Sequence, residues 1–240
     1  ISNKLNSGVV DIFSNRNGNA FAALKNDGSV VTFGGSGYDP YSGDWNGSIS
    51  FGKSFGADSS AVQDKLSSGV KEVFSTIGAF AALKNDGSVI TWGNQGSGGG
   101  GSTGWKKQND NKNQNLINEL STGVIDIFTN DSAFAALKDD GSVITWGDEE
   151  AGADSSAVQD KLSGGIRRVF STKGSFAALK ADGSVVVWGD VLAHGVGLTS
   201  DQINSGVIDI FSNGTSYAAL KNDGSVVTFG GSKYNPYSGG

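Results

Sequence analysis

The chain has 240 residues, which is enough for one large domain or two small ones with a core that needs no cross-links. It contains no cysteine, and this excludes thiol catalysis, thiolate metal sites and a disulfide framework. Its 18 basic and 24 acidic side chains give a net charge of −6, so nucleic acid is not expected as a partner. No segment has the run of apolar residues that a membrane span needs. Glycine occurs 38 times and proline twice, which predicts many tight turns.

A short motif recurs five times along the chain. Ala-Ala-Leu-Lys begins at Ala22, Ala81, Ala135, Ala177 and Ala218, and the copies lie 59, 54, 42 and 41 residues apart. In every copy one residue separates the lysine from an Asp-Gly pair. Each copy ends in an aromatic residue and a glycine: Phe33-Gly34, Trp92-Gly93, Trp146-Gly147, Trp188-Gly189 and Phe229-Gly230. The repeat predicts a single domain with units at approximately 6–56, 57–110, 111–152, 153–196 and 197–240.

Each unit predicts three strands, here described for the second unit. Residues 70–75 are rich in β-branched and aromatic side chains and too short for a stable helix. Residues 80–84 and 89–92 flank an Asp-Gly pair, which is a strong hairpin signal. Both hairpin strands are apolar at nearly every residue, so both faces of each small sheet are expected to be covered.

Short helical turns are predicted between the units. Residues 58–66 and 154–162 are near copies, in which Ser60 with Gln63, and Ser156 with Gln159, have the spacing of a helix cap. Residues 115–120 and 199–203 fit the same interpretation. These turns are expected to connect successive sheets.

Sheets of three or four short strands are not stable alone, so the five units must bury each other's faces. We expect an all-β propeller, in which three- to four-stranded antiparallel blades surround a channel; an open solenoid is the alternative. Residues 6–43 and 204–239 resemble each other more than either resembles its neighbour. This longer period leaves two hypotheses open: a five-bladed ring, or part of a ring completed by further repeats.

The string Phe-Ala-Ala-Leu-Lys-x-Asp-Gly-Ser-Val-x-x-Trp-Gly resembles the repeat of the regulator-of-chromosome-condensation (RCC1) propeller superfamily. The compact 41-residue unit is most similar to secreted bacterial members, including the β-lactamase-inhibitory propeller protein. The resemblance implies a propeller that binds other macromolecules. Where the family often has histidine, this chain has Phe21, Phe80, Phe134, Phe176 and Tyr217. The family's Gly-Gln-Leu-Gly after Trp-Gly is missing as well, so neither nucleotide-exchange residues nor inhibitory contacts are carried over.

Few residues suggest chemistry. The one histidine, His194, cannot build a two-histidine metal site or a conventional triad, and it is interpreted as a loop residue. Four acids are weak calcium candidates, with a solvated loop as the alternative: Asp148, Glu149, Glu150 and Asp154. No catalytic site and no cofactor are predicted.

Aromatic residues outside the strands are the candidate binding residues. They are Tyr38, Tyr41, Trp45, Trp105, Tyr234 and Tyr237. Rings on loops of a rigid scaffold stack on sugars or anchor protein interfaces, although they could instead cover blade edges. Trp92, Trp146 and Trp188 end the third strands in register and are interpreted as packing residues.

These features predict a non-enzymatic binding or adhesion module, extracellular or on the bacterial cell surface, whose loops engage glycan or protein. A first alternative is a structural element that self-associates with further repeats in a surface protein or filament. An inhibitor of a secreted enzyme is a third hypothesis, which rests on the family resemblance alone.

Overall fold

The computed structural model describes residues 2–16, 20–34, 57–100, 110–190 and 200–230. The described residues form fifteen strands in five three-stranded antiparallel sheets, each ordered first, second, third. We call each sheet a blade. The chain divides into two compact units, Ile1–Thr122 with blades 1 and 2, and Gly123–Gly240 with blades 3 to 5.

Corresponding strands have the same length in all five blades: six residues in the first and second strands and five in the third. Blade 1 has β1 Val9–Ser14, β2 Ala20–Lys25 and β3 Val30–Gly34. Blade 2 has β4 Val70–Ser75, β5 Ala79–Lys84 and β6 Val89–Gly93. Blade 3 has β7 Val124–Thr129, β8 Ala133–Lys138 and β9 Val143–Gly147. Blade 4 has β10 Ile166–Ser171, β11 Ser175–Lys180 and β12 Val185–Gly189. Blade 5 has β13 Val207–Ser212, β14 Ser216–Lys221 and β15 Val226–Gly230.

Helical segments lie between the blades, as the sequence predicts, and one short turn precedes blade 1. The α-helices are Asp110–Glu119, Gln159–Leu162 and Ser200–Ile203. Single 3-10 turns are Ser2–Lys4, Ser60–Val62, Gln95–Ser97 and Ser156–Val158, and Glu149–Ala153 forms a π-type turn. Among the described residues, no helix combines the length and the apolar character that crossing a membrane requires.

The predicted caps of two of these turns are wrong. The turn Ser60–Val62 begins one residue after its N-cap Ser59, whose side chain makes no cap bond. Instead, the Asp58 carboxylate accepts a hydrogen bond from the backbone N–H of Ser60 at 3.0 Å. The near copy, the turn Ser156–Val158, has the same contact: the Asp154 carboxylate accepts a hydrogen bond from the N–H of Ser156 at 3.0 Å. A carboxylate two residues before a free N–H closes a tight turn more directly than a serine-glutamine pair can.

The Asp-Gly hairpin turns are confirmed in all five blades. In blade 4 the Asp182 carboxylate accepts hydrogen bonds from the Ser184 N–H at 2.9 Å and from the Ser184 hydroxyl at 2.6 Å. Gly183 between them has φ +81°, a conformation that glycine adopts without strain. The serine hydroxyl, followed by its N–H, holds the pKa of Asp182 below the ordinary aspartate value. The turn therefore fixes the pairing register of the hairpin.

Successive blades pack face to face within each unit. We define the forward face of a blade as the side that contacts the next blade in sequence, and the backward face as the opposite side. The forward face of blade 4 buries Ala177 and Leu179, and Phe170, Val185 and Val187 pack partly against the same cluster. The other side of this cluster is the backward face of blade 5 with its connecting helix: Ile203, Val207, Ile210, Tyr217, Ala219 and Phe229.

The same interface occurs twice more. Ala135, Leu137 and Val143 of blade 3 pack on blade 4 around Leu162 and Val169. In the other unit, Ala22, Leu24 and Val30 of blade 1 pack on blade 2 around Leu66 and Val73. Three interfaces with corresponding residues make this contact the structural rule of the repeat, as in other stacked repeat proteins.

A glycine joint closes each of these interfaces. A Cβ added to Gly183 would lie 3.0 Å from the backbone nitrogen of Gly206, the glycine that precedes the next blade. The N–H of Val207 donates to the carbonyl of Gly183 at 2.9 Å. In the same way, a Cβ added to Gly28 would lie 2.7 Å from the nitrogen of Gly69, and one added to Gly141 would lie 2.9 Å from the nitrogen of Gly165. The backbones approach this closely because neither residue has a side chain.

Each blade also stacks two aromatic rings across its hairpin. In blade 4 the rings of Phe176 and Trp188 lie 5.5 Å apart and 24° from parallel. Corresponding pairs, with centroids 5.0 to 5.3 Å apart, are Phe21–Phe33, Phe80–Trp92, Phe134–Trp146 and Tyr217–Phe229. Trp92, Trp146 and Trp188 are each 3% exposed, so their interpretation as packing residues is confirmed. In every blade, one ring of the stack is the phenylalanine or tyrosine of the second strand: Phe21, Phe80, Phe134, Phe176 or Tyr217.

Candidate functional site

The first strand of every blade contains a β-bulge. In blade 4, Ile166 pairs with Lys180 and Arg168 with Leu179, so Arg167 is an extra residue in its strand. The same shift occurs at the corresponding place in β1, β4, β7 and β13. The five bulge positions are Val10, Lys71, Ile125, Arg167 and Ile208. Bulges redirect a side chain, and they are frequent beside functional sites.

All five bulge side chains are exposed to solvent. Val10 is 61% exposed, Ile125 51% and Ile208 53%, and Lys71 and Arg167 are exposed too. These values are unusual for β-branched residues inside a strand, because the next apolar residues, Ile127 and Ile210, are 3% and 2% exposed. Packing within the blade does not account for an isoleucine at these positions, and the exposed side chains are available for contact with another molecule.

Within the second unit the bulge positions follow one strip. The strand β10 lies beside both β7 and β13. The Ser171 hydroxyl of β10 donates to the Thr129 carbonyl of β7 at 2.8 Å, which holds these two strands together. The strip therefore presents Ile125, Arg167 and Ile208 in succession.

The residue after each bulge is charged in all five blades. It is Asp11, Glu72, Asp126, Arg168 or Asp209. Three of the aspartates accept a hydrogen bond from the N–H of the residue that follows them, at 2.7 Å for Asp11 and 2.8 Å for Asp126 and Asp209. These bonds orient the carboxylates before any partner arrives, which lowers the entropy that binding would cost.

One ion pair connects two bulges of the strip. The guanidinium of Arg168 lies 2.6 Å from the carboxylate of Asp209, with the side chains 54% and 33% exposed. The Arg168 guanidinium also lies 4.7 Å from the centre of the Phe170 ring. A pair this exposed contributes little to stability, but it sets the charge pattern that a partner meets.

The predicted loop aromatics cannot be compared with this strip. Tyr38, Tyr41, Trp45, Trp105, Tyr234 and Tyr237 all lie outside the described residues, as does His194. Their assignment as binding residues stays a prediction.

The structure does not assemble the four acidic calcium candidates into a metal site. The Asp148 carboxylate accepts from the N–H groups of Glu150 at 2.9 Å and Ala151 at 3.3 Å, and so caps the π-type turn. Asp154 closes the next turn, and no group of three or more metal-binding side chains occurs within the described ranges. The carboxylates of Asp148 and Asp154 thus accept hydrogen bonds from backbone N–H groups, and the assignment of the four acids as weak calcium candidates stays a prediction.

Sequence reasoning missed the bulge positions, although a signal was present. One repeat position holds Val10, Ile125 and Ile208 in three blades but Lys71 and Arg167 in the other two. A position that accepts both lysine and isoleucine is not in the core, because a buried unpaired lysine is strongly destabilising. Comparing the repeats position by position would have identified it.

No protein-family model matches the chain, and no curated protein matches it in sequence. Solved structures do. Yeast RCC1 (Prp20), in its complex with Kap60, is 16% identical over 92% of this chain and 56% of its own, with a TM-score of 0.51. Prp20p from Saccharomyces cerevisiae, described with its binding to Gsp1p and histones, is 16% identical over 92% and 58%, with a TM-score of 0.51. Human WBSCR16 is 19% identical over 92% and 61%, with a TM-score of 0.50.

The chain therefore spans roughly three fifths of the length of the structures it matches. At these identities the similarity concerns the fold. It confirms the predicted class, an all-β fold of five antiparallel blades of the RCC1 propeller type with short helical turns between them.

Proposed function

We propose that the chain is a non-enzymatic protein-binding module whose bulge positions contact the partner. The single observation that carries the proposal is the exposure of Ile125 and Ile208, 51% and 53%, at the bulges of the first strands of blades 3 and 5. Each lies next to an oriented carboxylate, so the strip offers apolar area and charge together. This combination is typical of protein interfaces, where apolar anchors supply affinity and charges supply specificity.

The solved relatives support a protein as the partner. Yeast RCC1 (Prp20) was solved with Kap60 bound, and Prp20p was described with its binding to Gsp1p and histones. Those partners belong to those proteins. For this chain the strip indicates a partner surface with an apolar patch beside mixed charge.

The compartment is part of the proposal. Charged residues make up only 18% of the chain, and oxidation-prone sulfur is absent, since the chain has neither cysteine nor methionine. Together with the resemblance to secreted bacterial propellers, this composition supports a module of an extracellular or cell-surface protein. Protease treatment of intact cells tests it: an exported chain is degraded, and a chain that resists until the cells are lysed contradicts the proposal.

The loop aromatics define a second candidate, glycan binding. Tyr38, Tyr41, Trp45 and Trp105 are the residues that would stack on sugars. A glycan array probed with the wild-type chain and with a variant that has alanine at all four positions tests this hypothesis. Binding by the wild type that the fourfold variant loses would assign the loops to glycan.

A peptide selection tests the strip. A random peptide library displayed on phage is selected on the immobilised chain, and the enriched peptides are titrated against the double variant Ile125→Ser, Ile208→Ser. We expect their affinity to fall at least about tenfold, since two exposed apolar anchors that a bound peptide would bury are lost. The control is Ala157→Ser, which alters an exposed apolar residue on a connecting turn. Peptides that bind the double variant and the wild type equally would contradict the proposal.

A further inference from the structure

The forward face of blade 5 is exposed, although the same face of other blades is buried. Val226 is 59% exposed, whereas Val30 and Val143 at the same repeat position are 0% and 1% exposed. Phe211 is 60% exposed, whereas Phe170 packs partly against the next blade. Blade 5 therefore has apolar residues on this face at the same repeat positions at which other blades bury them. Nothing among the described residues covers it.

The glycine joint of blade 5 is open as well. Gly224 has φ +83°, close to the +81° of Gly183. A Cβ added to Gly183 would meet backbone atoms of Gly206, whereas one added to Gly224 would meet no described atom within 4 Å. Gly224 therefore has the backbone conformation of the other glycine joints, but no glycine of a following blade packs against it among the described residues.

The backward face of blade 1 has the complementary features. Ile12 is 56% exposed, whereas Val169 and Ile210, its counterparts in blades 4 and 5, are 3% and 2% exposed. Leu5 is half-buried, although its counterpart Leu162 is completely buried between blades 3 and 4. Gly8, with φ +76°, precedes the first strand just as Gly206 precedes β13.

We propose that two copies of this chain associate head to tail, with the forward face of blade 5 in one copy packed on the backward face of blade 1 in the other. The occupant follows from the chain itself, which covers this type of face with a following blade at three interfaces. The association goes beyond the proposed binding function, because it uses neither the bulge positions nor the loop aromatics.

The backbone hydrogen bonds at the observed blade interfaces predict those at the proposed interface between copies. Val207 N–H donates to Gly183 O at 2.9 Å, so Val9 N–H of the second copy donates to Gly224 O of the first. Val30 N–H donates to Leu66 O at 2.9 Å, so Val226 N–H of the first copy donates to Leu5 O of the second. The exposed Ile12 and Val226 then become buried.

We call the backward face of blade 1 the head and the forward face of blade 5 the tail. Such an interface is heterologous, because each copy offers one head and one tail. Copies continue to add until a ring closes or a filament grows. Head-to-tail contact therefore predicts an assembly that grows with concentration, whereas a symmetric interface stops at a dimer.

Sedimentation velocity across a concentration series is the first test. We expect the average mass of the wild-type chain to rise with concentration. The variants Val226→Arg and Ile12→Arg each place a charge in the interface, and each should raise the dissociation constant more than about 100-fold. Ala157→Arg is the matched control, an exposed apolar residue outside both faces, and should associate like the wild type.

Mixing the two blocked variants is the sharper test. Val226→Arg keeps an intact head and Ile12→Arg keeps an intact tail, so an equimolar mixture should form a 1:1 dimer that does not grow further. A wild-type chain that is monomeric at every concentration overturns the proposal. Variants that associate like the wild type, or that fail to pair when mixed, also overturn it.

Circular dichroism is used to test whether the variants are folded. Should either variant unfold, Thr228→Arg on the tail and Leu5→Arg on the head replace it, and the same outcomes decide. Thr228 is exposed and lies two residues from Val226 on the same strand face.

Discussion

Blades 4 and 5 have nearly the same strands but different surroundings. Leu179 in blade 4 is 1% exposed and Ala177 is completely buried, because blade 5 covers them. Leu220 and Ala218 occupy the same positions in blade 5 and are only half-buried. The comparison shows that the burial of a repeat residue is set by the neighbouring blade as much as by its own sequence.

The comparison has an energetic meaning. In stacked repeat proteins, stability is approximately a sum of terms for each repeat and for each interface between neighbours. Blade 4 contributes to two such interfaces in its unit, and blade 5 to one within the described residues. A substitution on the forward face should therefore be more destabilising in blade 4 than in blade 5.

The largest contrast is expected for leucine truncation. Leu179→Ala removes a fully packed side chain and should lower the free energy of unfolding by about 2–5 kcal/mol. Leu220→Ala should cost roughly half as much, since part of that side chain already contacts water. Urea unfolding of the two variants measures the difference. Equal losses would show that the forward face of blade 5 is covered.

A glycine substitution tests the joint. Gly141→Ala and Gly224→Ala both place alanine at positive φ, +77° and +83°, which costs each variant about 1–2 kcal/mol. In addition, the new Cβ at Gly141 would lie 2.9 Å from the nitrogen of Gly165, so a backbone must shift. We expect the lower melting temperature for Gly141→Ala. If Gly224→Ala melted at the same temperature as Gly141→Ala or at a lower one, close packing at the joint would not be what destabilises Gly141→Ala.

The ion pair between blades 4 and 5 should have a smaller effect. Arg168→Gln breaks the contact with Asp209, and the expected loss is about 0.2–1 kcal/mol because both side chains are well solvated. The loss should shrink in high salt, which screens exposed charges. Arg167→Gln removes the same charge one residue away and serves as the control. A loss for Arg168→Gln that does not change with salt would mean that Arg168 acts through packing on Phe170.

The smallest effect, and one equal in both blades, is expected at the hairpin turns. Ser184→Ala and Ser225→Ala remove the hydroxyl that mainly lowers the pKa of Asp182 and of Asp223. A lowered pKa in the folded state stabilises the fold above the unfolded pKa of about 3.9, and this contribution is lost as the pH falls through the folded value.

Each serine variant should therefore be slightly less stable than the wild type at pH 7, and the deficit should shrink below about pH 4. Thermal unfolding at several pH values measures it. A deficit that persists unchanged at low pH would mean that the hydroxyl acts without the carboxylate. A larger deficit in blade 4 would show that the turn depends on its neighbour.

Much of the fold could be predicted because its signals are local. Asp-Gly between two apolar runs located every hairpin, and β4 spans Val70–Ser75 as expected. The apolar character of both hairpin strands correctly predicted two covered faces for blade 4, where Ala177 and Ala178 are completely buried, but not for blade 5, where Val226 on the forward face is 59% exposed. Here each residue of the motif has one role, which all five copies share.

The candidate site could not be predicted from a single copy of the repeat, because a bulge depends on the pairing of two strands; only a comparison of all five copies reveals the position. Ile125 and Ile127 look equivalent in sequence, yet the extra residue in β7 leaves the first 51% exposed and the second 3% exposed. The caps failed for a similar reason, since Ser60 and Gln63 have the spacing of a cap while Asp58 competes for the same N–H. Competition between local partners is decided by geometry that spacing does not contain.

Amide hydrogen exchange of the wild-type chain, measured in dilute solution and resolved by blade, tests the dependence on neighbours most directly. We expect the amides of β14 and β15 to exchange at least about tenfold faster than those of β11 and β12, because only the latter blade is covered on both faces. Equal protection of the two hairpins would contradict the account.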